Sequence, residues 1–441
     1  MTMTCTGFRL GPRMEIDPSG ELQLDGVSLS RLAAEHGTPL YVLSEGTVRE
    51  NCRRYQNSLA AAYPDFVVAY ASKAFLCQAM CQIIAQEGLW LDVVSGGELY
   101  TALSSTFPPE RIIFHGVSRS PDELHLAITS GVGRIVVDNW AELERVERVA
   151  RELERQPLVW LRLNSGVEAH THHYVQTSLL DSKFGFQLEE AGEVVKRYGE
   201  SPYLRIVGLH CHIGSQILSL EPFLENLRIM LEKYAALLHL GCSLSELNLG
   251  GGLGTYYTDG DVAPQVEQLT QQLAQAALQL AEELGIRPPR LILEPGRSIV
   301  NDAGLTLYRI TGSKLIPGVR KYLFIDGGMS DNIRPALYGS RYSAALANRM
   351  DRPAEELVTI AGRCCESGDV LLKDVWLPAS RPGDLLVIAR TGAYNYSMAS
   401  NYNRLPRPAV VLVNQGVSHV IVKRETYYDL IRLDAVPDHL R

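Results

Sequence analysis

A lysine, a histidine pair, a glutamate and a cysteine, each just past a short apolar run, make up the reactive inventory of this 441-residue chain. Lys73 follows Val-Val-Ala-Tyr-Ala-Ser, a context that predicts a desolvated ammonium with its pKa lowered towards the free amine a Schiff base needs. From position alone the other reading is a surface lysine beyond a strand. Glu294, in Glu294-Pro295-Gly296-Arg297, closes an apolar run where an unpaired carboxylate would be costly, so it calls for a cation. Arg297, three residues on, is one answer, and the protonated ring nitrogen of a cofactor is another. His210 and His212, with His170, His172 and His173, raise the thought of a metal, but no acidic or cysteine partner stands at ligand spacing and no metal is expected. Gly250-Gly251-Gly252-Leu253-Gly254 leaves backbone N–H groups open to a phosphate. It lacks the Lys-Ser/Thr of a P-loop and comes late for a dinucleotide fingerprint, so a tight turn without ligand is the bland alternative. Further on, Cys364-Cys365-Glu366-Ser367-Gly368-Asp369 sets a thiol beside a carboxylate, although a buried cysteine is ordinarily just a small hydrophobe. Arg334-Pro335-Ala336-Leu337-Tyr338 and Gly392-Ala393-Tyr394-Asn395-Tyr396 add a guanidinium and phenols; with 20 tyrosines present, neither phenol means much alone.

The elements that must position these groups alternate. Eight apolar runs are Phe66 to Ala71, Leu89 to Val94, Arg111 to Phe114, Arg134 to Val137, Leu158 to Leu163, Leu204 to Leu209, Glu246 to Leu249 and Arg290 to Leu293. Between them Leu and Ala recur at helical steps, as in Ala141 to Glu154 and Val266 to Leu284. Eight strand–helix alternations predict a (β/α)8 barrel of TIM type, with working residues at the carboxyl ends of the strands; a doubly wound sheet is the structural rival. After Gly304 the texture is strands and turns, giving a second, β-rich and β-barrel-like domain formed by both chain ends. The expected boundaries are residues 45–304 for the barrel and 1–44 with 305–441 for the β-rich domain.

Composition narrows the function classes. Apolar residues at 46% and charged residues at 21% suit a folded globular chain. A formal net charge of −8 argues against a nucleic-acid backbone or an anionic membrane as partner. The eight cysteines show no CxxC pair or framework spacing, and neither a signal-length nor a membrane-length apolar run stands out, so the cytoplasm is the expected compartment.

Taken together, these motifs resemble the fold-type III pyridoxal-phosphate-dependent decarboxylases over nearly the whole chain. The resemblance rests on Tyr70-Ala71-Ser72-Lys73-Ala74, Asp92 to Leu99, Asp181-Ser182-Lys183-Phe184-Gly185-Phe186, His210 to Gln216, the glycine loop, Glu294 to Arg297, Arg334 to Tyr338, Cys365 to Asp369 and Tyr394. It implies a barrel holding pyridoxal 5′-phosphate and a homodimer with shared active sites. Lys73 would bind the cofactor covalently, His212 stack on its ring and Glu294 pair with the ring nitrogen. Ser215 and the backbone of Gly252, Gly296 and Arg297 would hold the phosphate, with Tyr394 also near the cofactor. Cys365 would be the proton donor, arriving with Glu366 from the partner subunit, and Arg297, Arg334, Tyr338, Glu366 and Tyr394 would contact substrate. The chemistry agrees. A carboxylate at the ring nitrogen strengthens an electron sink, and a thiol suits protonation of the resulting carbanion.

A pocket with Arg297, Arg334 and Glu366 answers a distal ammonium and carboxylate together, so the expected reaction converts meso-2,6-diaminopimelate to L-lysine and CO2, the last step of lysine biosynthesis from that precursor. The alternatives are another amino acid, a carrier-bound or siderophore precursor, or a catalytically silent homologue, which retention of both Lys73 and Cys365 disfavours. Departures from the family pattern are Phe75, Val117-Ser118-Arg119 after the third strand, and Asn395; none removes a catalytic group.

Overall fold

The computed structural model describes residues 8–168, 183–258 and 260–441. His170, His172, His173, Asp181 and Ser182 lie outside the described residues, as does Cys5. The chain divides into two compact units, one of Arg49–Thr255 with Val262–Ile299, the other of the described residues up to Val48 with Tyr256–Asp261 and Val300–Arg441.

In the first unit the apolar runs become strands β1 (Phe66–Ala71), β2 (Trp90–Val93), β3 (Ile112–Phe114), β4 (Arg134–Val137), β5 (Leu158–Asn164), β6 (Arg205–His210), β7 (Glu246–Asn248) and β8 (Arg290–Leu293). Each pairs in parallel with the next, and β8 pairs with β1, so the sheet closes into an eight-stranded barrel. Closure excludes the doubly wound sheet, which has two edges. Inside, Ala69, Ile113, Val136, Trp160, Val207 and Ile292 pack into one cluster, a filled core and not a pore. The helices form for readable reasons. In Trp140–Glu152, Asn139 caps the Glu142 N–H and Leu143, Val146, Val149 and Ala150 are buried on one side. Val266–Glu283 likewise buries Leu269, Leu273, Ala274, Ala277 and Ala281.

The bottom of the barrel is sealed by charge. Glu246, the first residue of β7, accepts from Arg134 Nε and Trp160 Nε1, both at 2.7 Å. Its side chain is 5% exposed, so removing it leaves the mostly buried Arg134 guanidinium without its carboxylate. Glu246→Ala is therefore expected to cost about 3–5 kcal/mol. A fall in the urea midpoint of the cofactor-loaded protein would register it; an unchanged midpoint would show that the network adds nothing to stability.

The altered loop after β3 has a structural use. Arg119 is buried, donating to Glu142 Oε1 at 2.9 Å and to the Phe114 carbonyl at 2.7 Å, so it ties the end of β3 to Trp140–Glu152, the helix after β4.

In the second unit the spine is Gly304–Ile316, thirteen residues long. Its first half pairs antiparallel with Leu40–Ser44 and Leu385–Ala389, and its second half with Arg320–Ile325. Leu40–Ser44 also runs parallel to Ala409–Asn414, so residues from both chain ends share one sheet. After Gly304 the sequence shows strand-like runs at Leu305 to Gly312, Lys321 to Ile325, Leu357 to Ala361, Asp384 to Ala389, Ala409 to Val413 and His419 to Val422, and two further strands form there, Ala344–Leu346 and Val370–Leu377. The first is three residues long, and the second carries Lys373-Asp374 in its middle, with Asp374 at φ 55°. The hairpin half at Glu21 to Gly26 joins Met14–Ile16 and Val27–Ser28 in a small three-stranded sheet. Among the described residues, no helix is long and apolar enough to cross a membrane.

Candidate active site

The carboxyl ends of the barrel strands bring together two groups of residues, one suited to an anion and one made of alternating charges. The anion group joins two loops. Ile217 N–H donates to the Gly252 carbonyl at 3.0 Å and Gly254 N–H to the Ile217 carbonyl at 2.9 Å, while the Gln216 amide accepts the Thr255 N–H at 3.2 Å. Such close approach requires glycine: a Cβ on Gly252, whose φ is 120°, would stand 2.4 Å from the Gly214 carbonyl oxygen. Beside these loops Arg297 Nη2 donates to Ser215 Oγ at 2.9 Å. Gly296 precedes it, where an added Cβ would meet Ala71 Cβ at 3.0 Å. A guanidinium, a hydroxyl and glycine backbone thus lie at neighbouring strand ends.

The second group is a row of charges. Lys73 sits on a tight turn, Ser72–Ala74, immediately after β1. That turn is fastened by Ser72 Oγ donating to Glu98 Oε2 at 2.7 Å, and Val94 N–H reaches the same oxygen at 2.7 Å. Lys73 Nζ is 3.6 Å from Asp92 Oδ2. Asp92 Oδ1 is 3.6 Å from His115 Nε2, which is 2.8 Å from Glu294 Oε1. Glu294 takes two further donors, Asn248 Nδ2 at 2.7 Å and His210 Nε2 at 3.1 Å.

These contacts set the ionisation. Burial alone would raise the Glu294 pKa, but the His115 and His210 rings against it hold it well below the ordinary carboxylate range. Burial depresses His115, yet Asp92 and Glu294 outweigh it and raise its pKa above the usual value. His210, which has Glu294 but not Asp92 against it, is pushed down by burial to about 3 and is neutral, with its proton on Nε2 where the carboxylate accepts it. Burial, then the nearby Lys73 and Arg162 charges, keep the His212 ring neutral as well. Its Nδ1 accepts the Gly251 N–H at 3.3 Å, which fixes the ring at the mouth.

In the β-rich unit two phenols and a guanidinium gather. Arg334 is buried, donates to Tyr342 OH at 3.1 Å, and stands over the Tyr338 and Tyr394 rings at 5.1 and 5.6 Å. Cys365 and Glu366 lie in the connection between Glu356–Ala361 and Val370–Leu377. Asp369 anchors this connection, accepting from Met329 and Cys364 N–H groups at 2.7 Å each. Cys364 is buried, whereas Cys365 is exposed, its N–H donating to Asn403 Oδ1 at 2.7 Å.

Two expectations change. Lys73 is not desolvated: its side chain is 39% exposed and faces a carboxylate. The partner of Glu294 is not Arg297, which turns to Ser215, but the trio His115, Asn248 and His210. His115, Asp92 and Asn248 were given no role from sequence, though a polar residue inside an apolar strand run was a usable signal. The atoms of His115, His210 and Glu294 lie within 4.8 Å of one another, but both rings aim Nε2 at the carboxylate, so hydrogen bonding accounts for the cluster.

Residues 45–301 match the family described as the pyridoxal-binding domain of pyridoxal-dependent decarboxylases. The diaminopimelate decarboxylase of Synechocystis sp. is 47% identical over 434 residues, covering 96% of this chain and 92% of that protein. That of Bacillus subtilis is 46% identical over 418 residues, 94% of this chain and 95% of its own length. Among solved structures, diaminopimelate decarboxylase from M. jannaschii in complex with L-lysine superposes with a TM-score of 0.92 at 37% identity, covering 98% of this chain and 100% of that one.

Proposed function

The chain belongs to the diaminopimelate decarboxylase family of pyridoxal-dependent decarboxylases, and from that membership we propose that it releases CO2 from meso-2,6-diaminopimelate to leave L-lysine, using pyridoxal 5′-phosphate held by the barrel unit. The observation that carries the chemistry is Glu294, buried yet kept ionised. A carboxylate has about four acceptor positions, and His115, Asn248 and His210 use three, leaving one for a ring N–H. The residues fit the cofactor at its other end too, where Ser215, Arg297 and the loops around Gly252 and Gly296 suit a phosphate.

When bound, this cofactor would take up the electron pair left on Cα as CO2 departs. The protein's own residues do the rest. Lys73 offers the amine for covalent attachment, and Asp92 opposite it holds that amine in place. Neutral His212 presents an apolar face for the ring to stack on. Glu294 keeps a proton on the ring nitrogen, and Cys365 returns a proton to Cα.

Arg334, with Tyr338 and Tyr394, suits the distal carboxylate of a diamino diacid, and Glu366 its distal ammonium. We assign Cys365 and Glu366 to the active site of the partner subunit in a homodimer. What supports this is their exposure, together with the exposed apolar side chains of Tyr427, Tyr428, Ile431 and Leu433 on a segment tied to the same region by Arg404, which pairs with Asp434 at 2.7 Å. The seven described cysteines are free thiols, which suits the cytoplasm we assign to it.

The test is CO2 release by the cofactor-loaded protein from meso-diaminopimelate, with L-lysine, L-ornithine and L-arginine in parallel. Turnover of diaminopimelate alone is the expected result. Turnover of another amino acid in its place would overturn the reading of Arg334, Tyr338 and Glu366, and none at all would overturn the activity.

A further inference from the structure

His115 touches neither cofactor nor substrate in the roles above, yet its Nε2 faces both Glu294 Oε1, at 2.8 Å, and Asp92 Oδ1, at 3.6 Å. Resting on the cofactor reading, we propose that His115 is a positioning residue: it supplies the positive charge that fixes Glu294 as a carboxylate, and it links that charge through Asp92 to Lys73.

The argument starts from where the ring is held. His115 follows β3 directly, and its N–H donates to the Val93 carbonyl at 2.8 Å, which pins its backbone to the end of β2. The ring is 7% exposed and meets His210 edge-on, centroids 4.8 Å apart. Its surroundings are Asp92 from β2, Glu294 after β8, His210 from β6, and the more distant charges of Lys73 and Asp138. Two of its contacts are carboxylates, and a carboxylate buried without a cation takes up a proton.

Glu294 has three donors, but they are unequal. Asn248 donates a neutral amide and His210 a neutral ring, its pKa pushed down to about 3. Of the two rings only that of His115 has its charged form favoured over the ordinary imidazole, because Asp92 and Glu294 together outweigh its burial. The two histidines on one carboxylate therefore divide the work. His210 orients the oxygen it bonds, and His115 sets the charge.

The consequence is directional. Glu294 works as a carboxylate and loses that form as pH falls through its pKa. Without the His115 charge that pKa rises, so activity is lost at a higher pH.

The test compares His115→Leu, which removes donor and charge, with His115→Gln, whose amide keeps a donor near the Nε2 position without the charge. Each is loaded with pyridoxal 5′-phosphate, and both kcat and the absorbance of the bound cofactor are followed against pH. In His115→Leu the acid limb of both profiles is expected to move up by about one pH unit or more. Below the limb, each unit is about a tenfold loss of the active form. His115→Gln is expected to bind the cofactor as the wild type does and still show the displaced limb. A residue that only supported the fold would lower cofactor affinity and leave the limb where it was. An unmoved limb in a folded, loaded variant overturns the proposal, and if the leucine variant does not fold, the glutamine variant decides it. Failure of the wild-type protein to take up the cofactor would overturn the cofactor reading instead, and the two failures are distinguishable.

Discussion

Lys73→Ala is expected to yield a folded protein whose cofactor absorbance disappears on dialysis and whose turnover falls by at least about a thousandfold, the scale of losing a covalent catalytic group. The fold should survive, because the Ser72–Ala74 turn is held by atoms other than the lysine side chain. Ser72 Oγ remains bonded to Glu98, and Ala71 N–H donates to the Pro295 carbonyl at 3.1 Å. What is lost is the amine and the cation facing Asp92. The Asp92 carboxylate is 1% exposed and has His115 as its remaining cationic neighbour, so its pKa, already raised by burial, should rise further. Absorbance spectra before and after dialysis separate covalent from reversible cofactor binding. Adding methylamine to the variant should restore part of the rate if the amine is what is missing. Normal turnover without Lys73 would sink its assignment and the reaction built on it.

How far the site could be read in the chain depends on how local its parts are. Lys73, His212, the glycine loop and Glu294 each stand within a few residues of the end of an apolar run, and a parallel barrel gathers strand ends at one face. Apolar periodicity therefore located them. The partners of Glu294 were harder, because they lie 179, 46 and 84 residues away, just after β3, on β7 and on β6, and become neighbours only through barrel closure. A search within one turn of Glu294 finds Arg297, which instead faces Ser215. Lys73 shows the same limit from the other side. The apolar residues before it suggested desolvation, but they point into the barrel and its wall, while the carboxylate it meets comes from β2. Asp92 within Trp90–Val93 and Asn248 at the end of Glu246–Asn248 were visible as polar residues in buried strands, a pattern that costs stability unless a partner is supplied. In the β-rich unit, Val370–Leu377 was missed because its exposed central charges break the alternation.

Mixing two inactive variants gives the sharpest test of where the proton donor acts. Cys365→Ala is expected to slow turnover by about 10²–10⁴-fold, the range for removing a general acid, while the cofactor stays bound. Cofactor retention follows because Cys365 belongs to the β-rich unit, in a connection fastened at its base by Asp369 and at its tip by Asn403, and the proposed cofactor residues other than Tyr394 belong to the barrel unit. Lys73→Ala fails for the opposite reason, having the thiol but no amine. If each site draws Lys73 from one chain and Cys365 from the other, a dimer of one Lys73→Ala chain and one Cys365→Ala chain has one site with both defects and one site with neither. Random reassortment of equal amounts makes half of the dimers mixed, so activity should recover to about a quarter of the wild-type value. If both residues serve the same chain's site, every site in every dimer carries one defect and the mixture stays inactive. The result does not depend on how fast either variant is, only on whether the two defects can be separated. A recovery near a quarter, lost again when a single chain carries both substitutions, would assign Cys365 to the partner subunit; no recovery after demonstrated subunit exchange would return the thiol to its own chain and overturn the shared site.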